Sequence, residues 1–112
     1  MSKYRNVKTT IDNITFDSKR EANRYCELKL LHQAGEIHKL VTHPRYTLLE
    51  PFEVNGVKYR GINYTADFEY VENGQLITED VKGGKATKTE AFVMRMKLFI
   101  KRYGDDIEFR IT

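Results

Sequence analysis

The sequence predicts an α/β fold, and three observations carry that prediction. Two segments open on a capping-box pattern and continue with apolar residues at helical spacing, Ser18-Lys19-Arg20-Glu21 and Thr87-Lys88-Thr89-Glu90. Asn-rich or Gly-rich turn signals separate runs of β-branched and aromatic residues between them. The last segment, Ile107 to Ile111, alternates apolar with charged residues as a strand with one polar face should. The predicted order is a short N-terminal hairpin, then helix, strands, helix, strand.

Val7 to Ile11 and Ile14 to Phe16 flank Asp12-Asn13, a pair that tolerates the positive φ of a tight turn, which predicts the hairpin. The first helix is expected from Ser18 to Ala34, with Ala22, Tyr25, Cys26, Leu28 and Leu31 on its apolar face and Gly35 as its stop. After an extended stretch over Ile37 to Val41 and a loop at His43-Pro44, Tyr46 to Val54 reads as a strand turning through Asn55-Gly56 into Val57 to Ile62. Pro51 either interrupts the first of these strands or places it at an edge. Thr65 to Val71 and Leu76 to Lys82 form an antiparallel pair across Glu72-Asn73-Gly74-Gln75. In the second helix Phe92, Val93, Met96, Phe99, Ile100 and Tyr103 fall at helical spacing until Gly104.

A chain of 112 residues with 40% apolar content can bury one core, so a single domain over residues 1–112 is expected. No apolar stretch approaches the length of a membrane span, and the one cysteine, Cys26, has no partner within the chain. A soluble, cytoplasmic protein is the expectation. The formal charge of +3 and pI near 9.0 suit a polyanionic partner without demanding one. If some carboxylates are committed to a cation, the remaining surface is more positive still.

The chemistry concentrates in the second strand pair. Side chains alternate along a strand, so Asp80 and Lys82 share a face while Glu79 and Val81 point the other way. Asp67 lies on the neighbouring strand. Two hard-oxygen donors beside a lysine suit phosphodiester hydrolysis, in which Mg²⁺ acidifies a water and screens phosphate charge while a lysine stabilises developing negative charge. Asp80 and Lys82 also fit an ordinary ion pair on a solvated strand. Glu21 carries two readings as well. It is the last residue of a capping box, and it lies on the edge of the apolar stripe, where a carboxylate facing the sheet needs a partner.

Phe16-Asp17-Ser18-Lys19-Arg20-Glu21-Ala22, Tyr64-Thr65-Ala66-Asp67-Phe68 and Glu79-Asp80-Val81-Lys82-Gly83, in this order and spacing, resemble the small phage-encoded nucleases of the PD-(D/E)XK superfamily. The resemblance implies a restriction-endonuclease-like core of helix, three antiparallel strands, helix and strand. It implies that Asp67 and Asp80 are the acids of the two half-motifs, Lys82 the motif lysine and Glu21 the helix glutamate completing the site. Glu21, Asp67, Asp80 and the Val81 carbonyl would then hold Mg²⁺ or Mn²⁺. Ala66 departs from the pattern by standing where the name-giving proline would be.

The resemblance further implies a DNA endonuclease leaving a 5′-phosphate. So small a domain has little surface for reading sequence, which favours branched or junction DNA in phage replication, recombination or processing, cut by a homodimer. Lys85 and Lys88, in the segment leading to the second helix, and Arg95 and Lys97, on that helix, are candidate phosphate contacts, although a solvated helix face also accounts for such charges. The three histidines form no zinc pattern with Cys26, and the tyrosines read as core and strand filler. Two other classes stay open: a catalytically inactive nucleic-acid-binding domain of the same fold, and an accessory phage protein with a charged hairpin.

Overall fold

In the computed structural model, which describes residues 7–82 and 89–112, the chain is a mixed α/β protein with two helices and ten strands among those residues. The N-terminal hairpin pairs β1 (Thr9–Ile11) with β2 (Ile14–Phe16), and Asp12 and Asn13 both take positive φ, as a two-residue turn of this twist requires. Helix α1 (Lys19–Gln33) starts at Ser18, whose Oγ accepts from the Glu21 backbone N–H at 3.1 Å. It buries Ala22, Tyr25 and Leu28. Cys26, expected on the apolar face, is exposed instead, because the stripe centres on those three residues.

A four-stranded sheet is the centre of the fold, in the order β10 (Ile107–Ile111), β9 (Gln75–Asp80), β8 (Phe68–Glu72), β3 (His38–Thr42). The pairs β3–β8 and β8–β9 are antiparallel, and β10 runs parallel to β9. That parallel pairing needs a crossover, which contains α2 (Glu90–Tyr103). The α2 cap is Thr89, accepting from Phe92 N–H, so the helix begins two residues later than a box starting at Thr87 predicts. Thr87 itself lies outside the described residues.

Each face of the sheet carries a core. Phe68, Tyr70 and Ile77 pack with Phe16 and the α1 residues Ala22, Tyr25 and Leu28. Ile107 packs with Leu48, Tyr64, Ala66 and the α2 residues Phe92 and Phe99, backed by Leu76, Phe109 and Ile111. The period-2 alternation within β9 separates the two sets: Ile77 and Glu79 face α1, while Leu76, Thr78 and Asp80 face the other way. Burying one large aromatic such as Phe16, Phe68 or Phe99 contributes about 2–3 kcal/mol, so both layers weigh heavily in the stability of so short a chain.

Between β3 and β8 the chain makes an interrupted arm. Strand β4 (Arg45–Leu49) pairs with β7 (Ile62–Thr65), and β5 (Phe52–Val54) pairs with β6 (Val57–Tyr59) across Asn55-Gly56. The long strand expected over Tyr46 to Val54 thus breaks at Pro51, which has no N–H for a ladder. Opposite the break a Cβ on Gly61 would stand 2.6 Å from the Leu49 carbonyl oxygen, so glycine is required there. Phe52, Val54, Val57 and Tyr59 share one face of the arm and are 45–51% exposed, with the Phe52 and Tyr59 rings stacked at 4.9 Å. Of these, Tyr59 belongs to the tyrosines expected as core and strand filler, and it is half exposed instead. Among the described residues no helix is long and apolar enough to cross a membrane.

Candidate functional site

The strand expected over Thr65 to Val71 is broken at Ala66-Asp67, and the break is what positions Asp67. Here the chain leaves β4 and joins the central sheet: Ala66 N–H donates to the Pro44 carbonyl, Asp67 N–H to the Glu79 carbonyl, and His43 N–H to the Asp67 carbonyl. Asp67 is thereby tied to the ends of β3 and β9 at once. Its Oδ2 accepts from the Val81 N–H at 2.7 Å, which seats the Val81 backbone beside it.

Asp80, the last residue of β9, is 3% exposed and accepts a hydrogen bond from the Tyr64 hydroxyl on β7. Lys82 reaches back to it, with Nζ 3.9 Å from Asp80 Oδ2 and 4.1 Å from the centre of the Phe92 ring. The backbone is held at the same point by Lys82 N–H donating to the Thr112 carbonyl and Thr112 N–H to the Asp80 carbonyl. Asp80 and Lys82 therefore do meet on one face, and Tyr64 and Phe92 set their positions. Tyr64 stands in the quoted segment around Asp67 without a role signalled there, and no motif marks Phe92, since their approach depends on how β7 and α2 cover the sheet.

Glu21 arrives from the other side, on the first turn of α1. Only half of the capping box is seen: Ser18 Oγ takes the Glu21 N–H, whereas Glu21 Oε1 is buried without a hydrogen-bond partner. The Glu21 carboxyl is raised above its ordinary range by burial and by the charge of Asp17, with Asp67 and His43 drawing it back. Asp67 is pushed up to about 8, first by burial, then by the negative charge of Asp80, with a further push from Glu21. Three carboxyl groups from three elements thus crowd one end of the sheet. Carboxylates can only accept hydrogen bonds, so this cluster needs a proton or a cation among its oxygens.

The donor chemistry fits a hard divalent cation, because Glu21, Asp67 and Asp80 offer oxygen ligands and Glu21 Oε1 has none of its accepting capacity used. Among the described residues no three His, Cys, Asp or Glu side chains stand already arranged as a cage. Asp67 Oδ2 and Asp80 Oδ2 are turned to the Val81 N–H and the Tyr64 hydroxyl. The terminal torsions of Asp and Glu are soft, so reorienting these groups costs little compared with the repulsion a cation relieves.

Glu79 confirms the parity argument and acquires a role that spacing did not signal. It is fully buried on the α1 face, where Arg24 donates from Nε to Oε2 at 2.6 Å and from Nη2 to Oε1 at 3.0 Å, joined by the hydroxyls of Tyr70 and Thr112. Burial alone would raise its carboxyl, but the Arg24, Tyr70 and Thr112 contacts outweigh it and hold the group below its usual range. Glu79 is thus committed to α1 while Asp80 faces the site. A cavity of about 300 Å³ opens beside Val81, lined by Arg20, Asn23, Arg24, Glu27 and Thr112.

Of the proposed phosphate contacts, Arg95 and Lys97 are exposed on α2, where Lys97 borders a shallow groove with Glu90, Val93 and Met94. Lys85 and Lys88 lie outside the described residues.

The carboxyl cluster makes stability depend on pH in a definite direction. Asp67 takes its proton near pH 8 in the fold but near 3.9 in an unfolded chain, so between these values the folded state binds more protons. Stability in EDTA is expected to fall as pH rises from about 4 to about 8 and then to level off. Asp67→Asn removes the buried charge, and it should melt higher than the wild type at pH 8 with a flatter profile. Thermal melts across that range check this; an Asp67→Asn protein that melts lower at pH 8 than the wild type contradicts it.

No curated protein and no solved structure matches the chain. A family model described as "Protein of unknown function (DUF1064)" matches residues 1–111, and the chain belongs to that family.

Proposed function

We propose that the protein is a metal-dependent deoxyribonuclease of the PD-(D/E)XK superfamily with a restriction-endonuclease-like core. The observation that carries the reading is the convergence of Glu21, Asp67, Asp80 and Lys82, from α1, the β7–β8 junction and the end of β9, at one edge of the sheet. The order α1, β3, β8, β9, α2, β10, with three antiparallel strands and a final parallel one, supports it, because it is the core order that the motif resemblance implies.

Mg²⁺ or Mn²⁺, held by Glu21, Asp67, Asp80 and the Val81 carbonyl, would acidify a water and screen the phosphate charge. The chain's own groups supply the rest. Tyr64 fixes the Asp80 carboxylate by donating to it, and the Val81 N–H fixes that of Asp67. Lys82, held between Asp80 and the Phe92 ring, presents a positive charge to a phosphoryl oxygen as negative charge builds on it. Arg95 and Lys97, with Lys85 and Lys88 of the preceding segment, provide sequence-independent phosphate contacts. The substrate class that fits is branched or junction DNA, cut to leave a 5′-phosphate by a homodimer that brings two sites to two strands. The setting is phage DNA replication, recombination or processing in the cytoplasm of a bacterial host.

The test is cleavage of end-labelled duplex, forked, four-way-junction and single-stranded DNA in Mg²⁺, Mn²⁺ or EDTA. Cutting in either metal and none in EDTA, strongest on the branched substrates, is the expected result. Failure to cut any substrate would leave a nucleic-acid-binding role as the better reading, and cutting undiminished by EDTA would remove the metal from it.

A further inference from the structure

His43 follows directly on β3 in a left-handed conformation, with φ of 53°, and its backbone N–H donates to the Asp67 carbonyl at 2.9 Å. Its ring lies 5.6 Å from that of Phe16, and its side chain is 37% exposed. Nε2 stands 4.0 Å from Glu21 Oε1, the buried oxygen with no hydrogen-bond partner. That separation is too long for a hydrogen bond, so His43 does not satisfy the oxygen it faces. It is the right separation for something else. Two donors each about 2.1 Å from one ion stand roughly 3 to 4.2 Å apart, from the adjacent to the opposite arrangement.

The geometry points to His43 as a nitrogen ligand of the same cation that Glu21 and Asp67 hold, making the site one of mixed oxygen and imidazole donors. This rests on the metal-dependent reading above. Three features of the position argue for it over a solvated loop histidine. The ring is braced against Phe16 in the α1-side core, so little rotamer freedom is lost on ligation. The backbone is bonded to that of Asp67, so the two residues move as one. The Glu21 oxygen facing it is buried and accepts no hydrogen bond. An imidazole donor carries a selectivity consequence. Nitrogen ligands favour first-row transition ions, whereas Mg²⁺ prefers oxygen alone, so the site should bind Mn²⁺ or Co²⁺ more tightly than Mg²⁺.

Asparagine tolerates the left-handed backbone at this position and is too short to reach the ion, so His43→Asn is the variant of choice. With Mn²⁺ added to the full-length protein, pulsed electron paramagnetic resonance should show ¹⁴N modulation from a coordinated imidazole. The signal should convert to that of ¹⁵N on histidine-specific labelling of the wild type and vanish in His43→Asn. Calorimetry should show Mn²⁺ affinity falling on the order of 10- to 100-fold in the variant, with Mg²⁺ affinity changed by less than about 3-fold. Mn²⁺ bound without nitrogen modulation, or with modulation unaltered in His43→Asn, would overturn the role of His43 and leave the carboxylate site standing. Absence of Mn²⁺ binding to the wild type would overturn both.

Discussion

Arg24→Ala should cost about 3–5 kcal/mol of folding stability, a large share of what a domain of this size possesses. The reason is the state in which it leaves Glu79, a fully buried carboxylate whose two oxygens now take the Arg24 fork together with the Tyr70 and Thr112 hydroxyls. Without the guanidinium that charge has no counter-ion. The penalty should depend on pH with a definite sign. In the wild type Glu79 is held below its ordinary range, so its contribution is complete above the unfolded value near 4.3 and is lost as pH falls through its lower folded value. In Arg24→Ala the carboxyl rises instead, so the loss is greatest at neutral pH and shrinks in acid as Glu79 takes a proton. Urea unfolding of both proteins at pH 7 and pH 5 measures this. A shift below about 1 kcal/mol at pH 7, or a penalty that grows in acid, contradicts the latch.

The second large effect is on activity. Asp80→Asn should lower the rate of DNA cleavage on the order of a thousandfold or more while the protein stays folded. Asparagine fills the same volume, and its side-chain oxygen can still accept from Tyr64, so the packing between β7 and β9 persists. What it removes is one of the negative charges that crowd Asp67, together with the anion that draws Lys82 to the site at 3.9 Å. Catalytic loss without loss of fold separates a role in the reaction from a role in the core. The same substitution also relieves repulsion within the carboxyl cluster, so unchanged or raised stability in EDTA accompanies the lost activity, a trade-off expected where a site is held together against its own charge.

Much of this arrangement is legible in the amino-acid sequence. Local chemistry carried it where local chemistry decides: the Asp12-Asn13, Asn55-Gly56 and Asn73-Gly74 turns all take positive φ, and α1 begins at the Ser18 cap. Strand parity separated Glu79 from Asp80 correctly, because alternation is a property of the backbone and holds in any tertiary context. Pro51 marked the place where β4 gives way to β5. The pattern puts the α2 start two residues early because both Thr87 and Thr89 precede Glu90 at positions compatible with a cap, and the cap observed is Thr89, accepting from the N–H of the core residue Phe92.

The features that escaped are those fixed by distant contacts. The break at Ala66-Asp67 arises because the chain changes partners there, from β4 to the central sheet, and nothing in Tyr64-Thr65-Ala66-Asp67-Phe68 announces that change. Arg24 and Glu79 are 55 positions apart, and each resembles an ordinary surface charge until α1 is laid on the sheet. His43 fits no zinc spacing with Cys26, and its approach to Glu21 depends on β3 ending beside the start of β8. Tyr59 shares the residue type of the core tyrosines, yet it stacks on Phe52 in the β5–β6 half of the arm, which contributes no residue to either core.

Single-turnover cleavage of a labelled four-way junction by the wild type and by Asp80→Asn, each in Mg²⁺, Mn²⁺ and EDTA and each shown to be folded by its melting curve, tests the central claim most directly. The account predicts cutting by the wild type in metal alone and loss of about a thousandfold or more in Asp80→Asn. Equal cutting by the two proteins would contradict it, because the reaction would then not depend on the carboxylate at the end of β9.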